Sequence, residues 1–409
     1  MQKAVSHFDY LSQALLQRVA RLLPSTPVQK SETEFQSNGI LTLGVEIELQ
    51  LIDHVSLDLT PRAEELLAAT RHLHTVKPEL FYSTVEVNTA KCATVQEVEA
   101  DLRATLDGMK PIVDRLGMCL ATTGAHPFAR YSECRICPTE RYLDLIDRNQ
   151  WLARRMTVYG QHVHIGMASG DDCIRYNNFF MNFTPHILAL SASSPFWQGE
   201  DTGLSSCRPT AYEALPTAGQ PYTVRNWKNF EMLYESLKKC GSVKSLKDLW
   251  WDIRPSPHYG TLELRICDGC ATLYETLAVT AFIHLLAYWF HEHASWLENI
   301  SSPQHWLARE NKWRAIRHGP DAALVMNIDG KVKPLRDDIG EWLDRLSPYA
   351  EKLGYQSYLA SIAAILDRGT SSERQRRLFR KTGELKDVVR FNCREFSDQM
   401  PDWTATPPD

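Results

Sequence analysis

The segment from Leu41 to Leu51 constrains this chain more than any other. Leu41, Leu43, Val45, Ile47, Leu49 and Leu51 fall on one side of an extended chain, and Glu46 and Glu48 fall on the other. One side of such a strand must be buried. If the second side also faces inward, two carboxylates meet in the interior, where they persist only when cations neutralise them. A hard divalent ion such as Mg²⁺ does this well. A solvated strand face is the plain alternative.

Three further segments repeat the pattern. In Phe81–Asn88, Glu86 lies between Val85 and Val87 and shares its face with Thr84 and Asn88, while Glu79 precedes the strand. In Gln161–Gly166, His162 and His164 share one face and suit metal or phosphate contact. In Thr261–Arg265, Glu263 and Arg265 share one face: the first can hold a metal and the second can stabilise a phosphoryl group in transfer. Each has a bland reading as a surface pair or an internally neutralised pair. Together, four strands present carboxylate, imidazole or guanidinium groups. A sheet curved around a cluster of Mg²⁺ ions explains all four, and such a site performs phosphoryl transfer by neutralising charge and aligning oxygens. No G-x-x-x-x-G-K-[ST] or G-x-G-x-x-G run occurs, so a P-loop or Rossmann nucleotide site is not expected.

The strands never settle into regular β-α-β alternation, which predicts an α+β fold with an antiparallel sheet and flanking helices. Thr60-Pro61 predicts a helix start, with Thr60 as its cap. Helices are expected over 95–116, over 174–193 with a break at Thr184-Pro185, over 229–237, 245–250 and 273–296, and through most of the chain beyond residue 300. Residues 194–222 read as a long functional loop. Phe8, Leu11, Leu15 and Leu22 recur near helical spacing, so an amphipathic N-terminal helix is expected, followed by a polar linker over 24–39.

With 409 residues, 44% apolar and 23% charged, the chain has ordinary globular usage and needs no staple. A net charge of −5 gives no basic footprint for nucleic acid. The apolar stretch 276–290 contains His284 and is short for a membrane span, so a buried helix is expected there. The N-terminus carries Asp9 and Arg18 and does not read as a signal peptide. Ten scattered cysteines read as reduced thiols of a cytoplasmic protein. The pairs Cys134/Cys137 and Cys267/Cys270 can in principle build a zinc site, though they lack zinc-ribbon spacing.

At this point the residues resemble a known family, the YbdK-type carboxylate–amine ligases, also called the glutamate–cysteine ligase type 2 family. The similar segments are LTLGVEIELQ (41–50), TGAHPF (123–128), ERYLDLI (140–146), GQHVHIGMASGDD (160–172), the SASSPFWQG…TGLSSCRP loop (191–209), LKDLWWDIRPSPHYGTLELRICD (246–268) and ENKWRAIRHG (310–319). The resemblance covers roughly residues 40–390. It implies a ligase domain over 40–390, between an N-terminal helix and linker (1–39) and a C-terminal tail (391–409). It also implies a glutamine-synthetase-like core, an antiparallel half-barrel around Mg²⁺ or Mn²⁺.

By that resemblance Glu46, Glu48, Glu86, His162 and Glu263 are metal ligands, with Glu79 a less secure addition. His164 faces ATP phosphate or substrate. Arg265 is the transition-state arginine, and Glu86 shares a catalytic role. The implied reaction uses ATP to phosphorylate a substrate carboxylate, and an amine then displaces phosphate to give an amide. In the named activity the acid is L-glutamate and the amine L-cysteine. A different acid or amine, a guanidine-type phosphotransferase and a non-catalytic binding protein are the alternatives. Arg208 can grip a substrate carboxylate, or pair with Asp201 or Asp252. Arg254 can contact the nucleotide or substrate, or pair likewise. His126-Pro127 is expected to shape a turn, Trp197, Trp250 and Trp251 to form core or pocket wall, and the polar run around Arg374 to be a solvated helix, with closure over ATP as the alternative. Small-molecule partners are expected, with no nucleic acid or membrane; a homo-oligomer is left open.

Overall fold

The long alternating strand does become the backbone of the fold. In the computed structural model, which describes residues 31–293 and 304–405, β1 (Leu43–Asp53) is hydrogen-bonded to three other strands. Around it lie β2 (Val76–Pro78), β3 (Thr84–Asn88), β4 (Met118–Ala121), β5 (Gln161–Gly166), β6 (Ile253–Ser256) and β7 (Thr261–Leu264). The sheet is antiparallel, in the order β6-β7-β5-β1-β3-β2, with β4 pairing the far end of β1. Its edges stay open, so no barrel closes. The α+β expectation with an antiparallel sheet is borne out.

The described helices are α1 (Ala63–Ala69), α2 (Val95–Arg115), α3 (Glu140–Asn149), α4 (Gly170–Phe180), α5 (Thr184–Ser191), α6 (Trp227–Lys239), α7 (Leu273–His293), α8 (His305–His318), α9 (Leu335–Leu353), α10 (Gln356–Arg368), α11 (Ser371–Thr382) and α12 (Leu385–Asp398), besides shorter turns. Thr94 caps α2 by accepting from Glu97 N, and Ser169 caps α4 by accepting from Asp172 N. The expected break before Pro185 separates α4 from α5, because proline cannot donate to the preceding turn.

The apolar side of the sheet is Leu43, Val45, Ile47, Leu49, Val85, Val87, Val163, Ile165, Leu262 and Leu264. All are buried in one core with α2, α4, α5 and α7. Helix α7 is long and apolar enough to cross a membrane by length and composition, yet 83% of its most apolar window is buried inside the fold. His284 is satisfied there: Nδ1 meets Tyr355 Oη at 3.0 Å and Nε2 meets the Leu41 carbonyl at 2.8 Å. A lipid-facing imidazole would have neither partner.

Several expectations need correction. The helix after Pro61 begins at Ala63, and Thr60 does not cap it; the Thr60 amide instead bonds Leu51 O, extending the sheet edge. Residues 245–250 give only a 3₁₀ turn, Leu246–Asp248, under a Ser245–Asp248 capping box. The region beyond residue 300 contains a hairpin, β8 (Ala323–Val325) and β9 (Val332–Pro334), that helical spacing did not suggest. Helix α11 is not simply solvated, because Arg374 is fully buried. Helix α12 crosses residue 390, where a tail was expected to begin, since Val388, Val389, Phe391 and Phe396 are buried. The expected N-terminal helix lies outside the described residues.

Candidate active site

The register of the sheet assembles the site. Across β1 and β3, Glu48 stands opposite Glu86 and Glu46 opposite Asn88. Across β1 and β5, Glu46 stands opposite His162. Across β5 and β7, His164 stands opposite Glu263, and across β7 and β6, Glu263 stands opposite Arg254. Directly opposed residues of an antiparallel pair share a face. All four polar pairs read from the sequence therefore emerge on one side of the sheet, behind which lies the apolar core.

The contacts are close. Glu46 Oε2 lies 3.1 Å from His162 Nδ1, and its Oε1 lies 3.4 Å from His164 Nε2. Asn88 Nδ2 donates to Glu46 Oε1 at 3.2 Å. Thr261 Oγ1 lies 2.9 Å from His164 Nδ1 and sets that ring's orientation. The Gly160 amide donates to Glu48 Oε2 at 2.5 Å. Glu263 receives Arg254 Nε at 3.0 Å and Nη2 at 2.7 Å on one oxygen, and Arg265 Nη1 on the other.

Three trios gather potential ligand atoms within 4.8 Å of one another: Glu46/Glu86/His162, Glu46/His164/Glu263 and Glu48/Glu79/Glu86. Nε2 of His162 is buried without a hydrogen-bond partner, and Nε2 of His164 has only its 3.4 Å contact with Glu46.

Electrostatics separates these carboxylates. Burial pushes Glu86 well above the usual range, and the charges of Glu46, Glu79 and Glu48 push it further. Burial and the Glu79 charge raise Glu48 to about 7, against Arg208 and the Gly160 amide. Burial would also raise Glu46, but hydrogen bonds to His162 and His164 hold it well below the usual range. Burial likewise opposes ionisation of Glu263, and Arg254 and Arg265 override it, leaving it strongly lowered. His162 falls to about 4 because it is buried and faces Arg265, so it presents a neutral ring. Neutral imidazole and crowded carboxylate oxygen form a donor set that fits a hard divalent cation.

Other expected residues are placed as follows. Arg208 pairs with neither Asp201 nor Asp252. Asp201 is taken by Arg376, and Asp252 is held by Lys312 Nζ at 2.5 Å and Tyr212 Oη at 2.6 Å. Arg208 Nη1 donates to the Arg265 carbonyl at 3.0 Å, its Nε is buried and unpartnered, and its guanidinium sits 5.0 Å from the Tyr212 ring centroid. A side chain at Gly160 would collide with that guanidinium, which places Arg208 beside His162.

Arg254, expected to contact the nucleotide or substrate or to form an ion pair, is paired with Glu263. Each of its three nitrogens already donates within the chain, to Glu263 and to the Lys247 and Leu249 carbonyls, so it holds Glu263 in place. His126 accepts from Ala129 N and meets Leu57 O, shaping a turn as expected. Trp251 is buried, and Trp250 lies under Arg265 at 5.7 Å. The two C-x-x-C pairs are free thiols, and among the described residues neither joins a metal-binding group.

The sequence reading gave no role to Asn88, Thr261 or Asp268. Asp268 is fully buried and accepts from Ser193 N, Ser194 Oγ and Ser206 Oγ, while Ser194 Oγ in turn accepts from Arg208 N. Its only sequence signal was its position at the end of the β7 segment.

A profile of the glutamate–cysteine ligase family 2 matches residues 42–391. The chain belongs to the glutamate–cysteine ligase family 2. A relative from Bdellovibrio bacteriovorus, provisionally named glutamate–cysteine ligase 2, is 44% identical over 90% of this chain and 97% of its own length. One of the same name from Thermobifida fusca is 42% identical, covering 90% of this chain and 94% of that one. Among solved structures, a Francisella tularensis glutamate–cysteine ligase in complex with AMP shares the fold, with a TM-score of 0.64 at 13% identity over 88% of this chain and 90% of that one. As a member of this family the protein is an ATP-dependent ligase that forms carbon–nitrogen bonds.

Proposed function

We propose that this family member activates a carboxylic acid as an acyl phosphate with ATP and divalent cations, then joins it to an amine. The observation that carries this reading is the set of three ligand trios on one sheet face, with the buried Nε2 of His162 left without a hydrogen bond. Glu46, Glu48, Glu79, Glu86, His162, His164 and Glu263 would hold Mg²⁺ or Mn²⁺. Bound there, the cations would neutralise the triphosphate and the charge that develops during phosphoryl transfer.

The chain's own residues set the geometry. Arg254 and Thr261 fix Glu263 and His164. Arg265 is tied to Glu263 through Nη1 and backed by Trp250, and its remaining donors would serve transferring phosphoryl oxygens. Arg208 offers a buried, incompletely satisfied guanidinium beside His162, suited to a substrate carboxylate. We assign L-glutamate as the acid, through its γ-carboxylate, and L-cysteine as the amine; the names of the relatives support that pair.

The experiment is a screen of acid–amine pairs with MgATP, read as ADP formation and as the amide by mass spectrometry. ADP and γ-glutamylcysteine should form only when both substrates are present. ADP with a phosphorylated product and no amide would favour a phosphotransferase. No ADP with glutamate and any amine would overturn the glutamate assignment.

A further inference from the structure

Away from this site, β1, β4 and α12 bring two thiols and an imidazole together. Cys119 of β4 stands opposite Ile52 of β1, and its Sγ lies 3.4 Å from Nδ1 of the exposed His54. It is half-buried and packs into a small apolar cluster that contains the buried Cys393 of α12 along with Ile52, Leu57 and Val389. A hydrogen bond with Cys393 and, against burial, a second one with His54 lower Cys119 to about 6. Both contacts favour its thiolate form. The same hydrogen bond and burial hold Cys393 well above the ordinary thiol range. One sulfur is thus a reachable nucleophile, and its neighbour is a sheltered, protonated thiol. Exchange with an external disulfide followed by internal resolution needs that pairing.

We propose that Cys119 and Cys393 are a reversible dithiol–disulfide pair whose oxidant is a low-molecular-weight disulfide. The Cys119 thiolate attacks one sulfur of the small disulfide, whose S–S bond breaks and releases one thiolate. The Cys393 sulfur then attacks Sγ of Cys119, the bond to the reagent breaks, and the Cys393 proton ends on the departing sulfur. One small disulfide is reduced to two thiols while the protein dithiol is oxidised. The new bond ties α12 to β4, and excess small thiol reverses it.

The test treats the full, reduced chain with oxidised glutathione at neutral pH. It is read by intact mass and by non-reducing peptide mapping. The wild type should lose two hydrogens and yield a joined Cys119–Cys393 peptide, which dithiothreitol separates. Cys393→Ser should stop at a stable glutathione adduct on Cys119. The exposed Cys240 is the internal comparison for plain accessibility. A wild-type chain whose Cys119 stays free while Cys240 reacts overturns the proposal. So does a Cys119 adduct that never resolves. If Cys393→Ser does not fold, the wild-type map alone decides between these outcomes.

Discussion

Two regions of this protein bury several charges, and they do so in opposite ways. Around Arg374, the charges close on themselves: Nη1 reaches Glu275 Oε1 at 2.9 Å, Nε reaches Glu395 Oε1 at 2.8 Å, and Nη1 also meets the Gly369 carbonyl. The arginine's three nitrogens are all used, and the cluster joins α7, α11 and α12. On the sheet face around Glu46, the charges do not close. Glu48 and Glu86 are raised by burial and by neighbouring carboxylates, and Nε2 of His162 has no hydrogen-bond partner. The first arrangement completes a fold. The second is an arrangement that bound cations, as proposed above, would complete.

The sharpest way to break this comparison is to neutralise one carboxylate of the open cluster. Glu46→Gln and Glu263→Gln should each lower the rate of ATP turnover by about a thousandfold or more, because each removes a charged oxygen from a place where phosphoryl charge must be balanced. Steady-state ADP release, with circular dichroism to confirm the fold, checks this. Turnover near the wild-type level in both variants would remove the basis of the site assignment.

The closed cluster should respond in stability instead. Arg374→Met leaves Glu275 and Glu395 buried without a cation and should cost about 3–5 kcal/mol. Urea unfolding measures this. The kcat per folded molecule should change far less than in Glu46→Gln. A variant as stable as the wild type would mean that the Arg374 cluster contributes little to holding these helices.

The two regions also differ in how legible they were in the sequence. The open site was visible because strand period two exposes same-face pairs directly: E-x-E, H-x-H and E-x-R each sit in short apolar runs. Their convergence depended on pairing register, which no local pattern encodes. Arg374 was misread because it lies in a strongly charged run, Glu373–Arg377, where helical spacing gives no sign that one guanidinium turns inward to partners 99 and 21 residues away. Asp268 escaped for the same reason, since its three donors come from distant loops. The α12 boundary was missed because the resemblance faded before the helix did.

A pH experiment sharpens the contrast without mutation. Glu48 is raised from 4.5 to about 7 in the folded chain without cations, and Glu86 is raised as well. At these two carboxylates the folded state binds more protons than the unfolded one between those values, so their contribution to stability falls as pH rises from about 4.5 to about 7. Mg²⁺ should remove the part of the slope that Glu48 and Glu86 contribute, because it stabilises their ionised forms, and should leave the part from Glu395 of the closed cluster, which is raised to about 7 as well. Thermal unfolding across this window with EDTA and with Mg²⁺ measures it. The same slope under both conditions would count against cation binding at Glu48 and Glu86.

The smallest expected effect concerns a residue that touches no reacting group. Thr261 Oγ1 meets His164 Nδ1 and leaves Nε2 directed at Glu46. Thr261→Val preserves the β-branched shape, so the strand should remain paired with β5, but the ring loses the partner that fixes its orientation. Hydrogen bonds of this kind typically tune metal affinity by 10–100-fold. The Mg²⁺ concentration for half-maximal activity should therefore rise by about tenfold, while kcat at saturating Mg²⁺ stays within a few-fold of the wild type. Thr261→Ser, which restores the hydroxyl, should return the Mg²⁺ requirement to normal. If both substitutions leave it unchanged, His164 is held by packing alone. If both lower kcat without changing it, Thr261 matters to the strand and not to the imidazole.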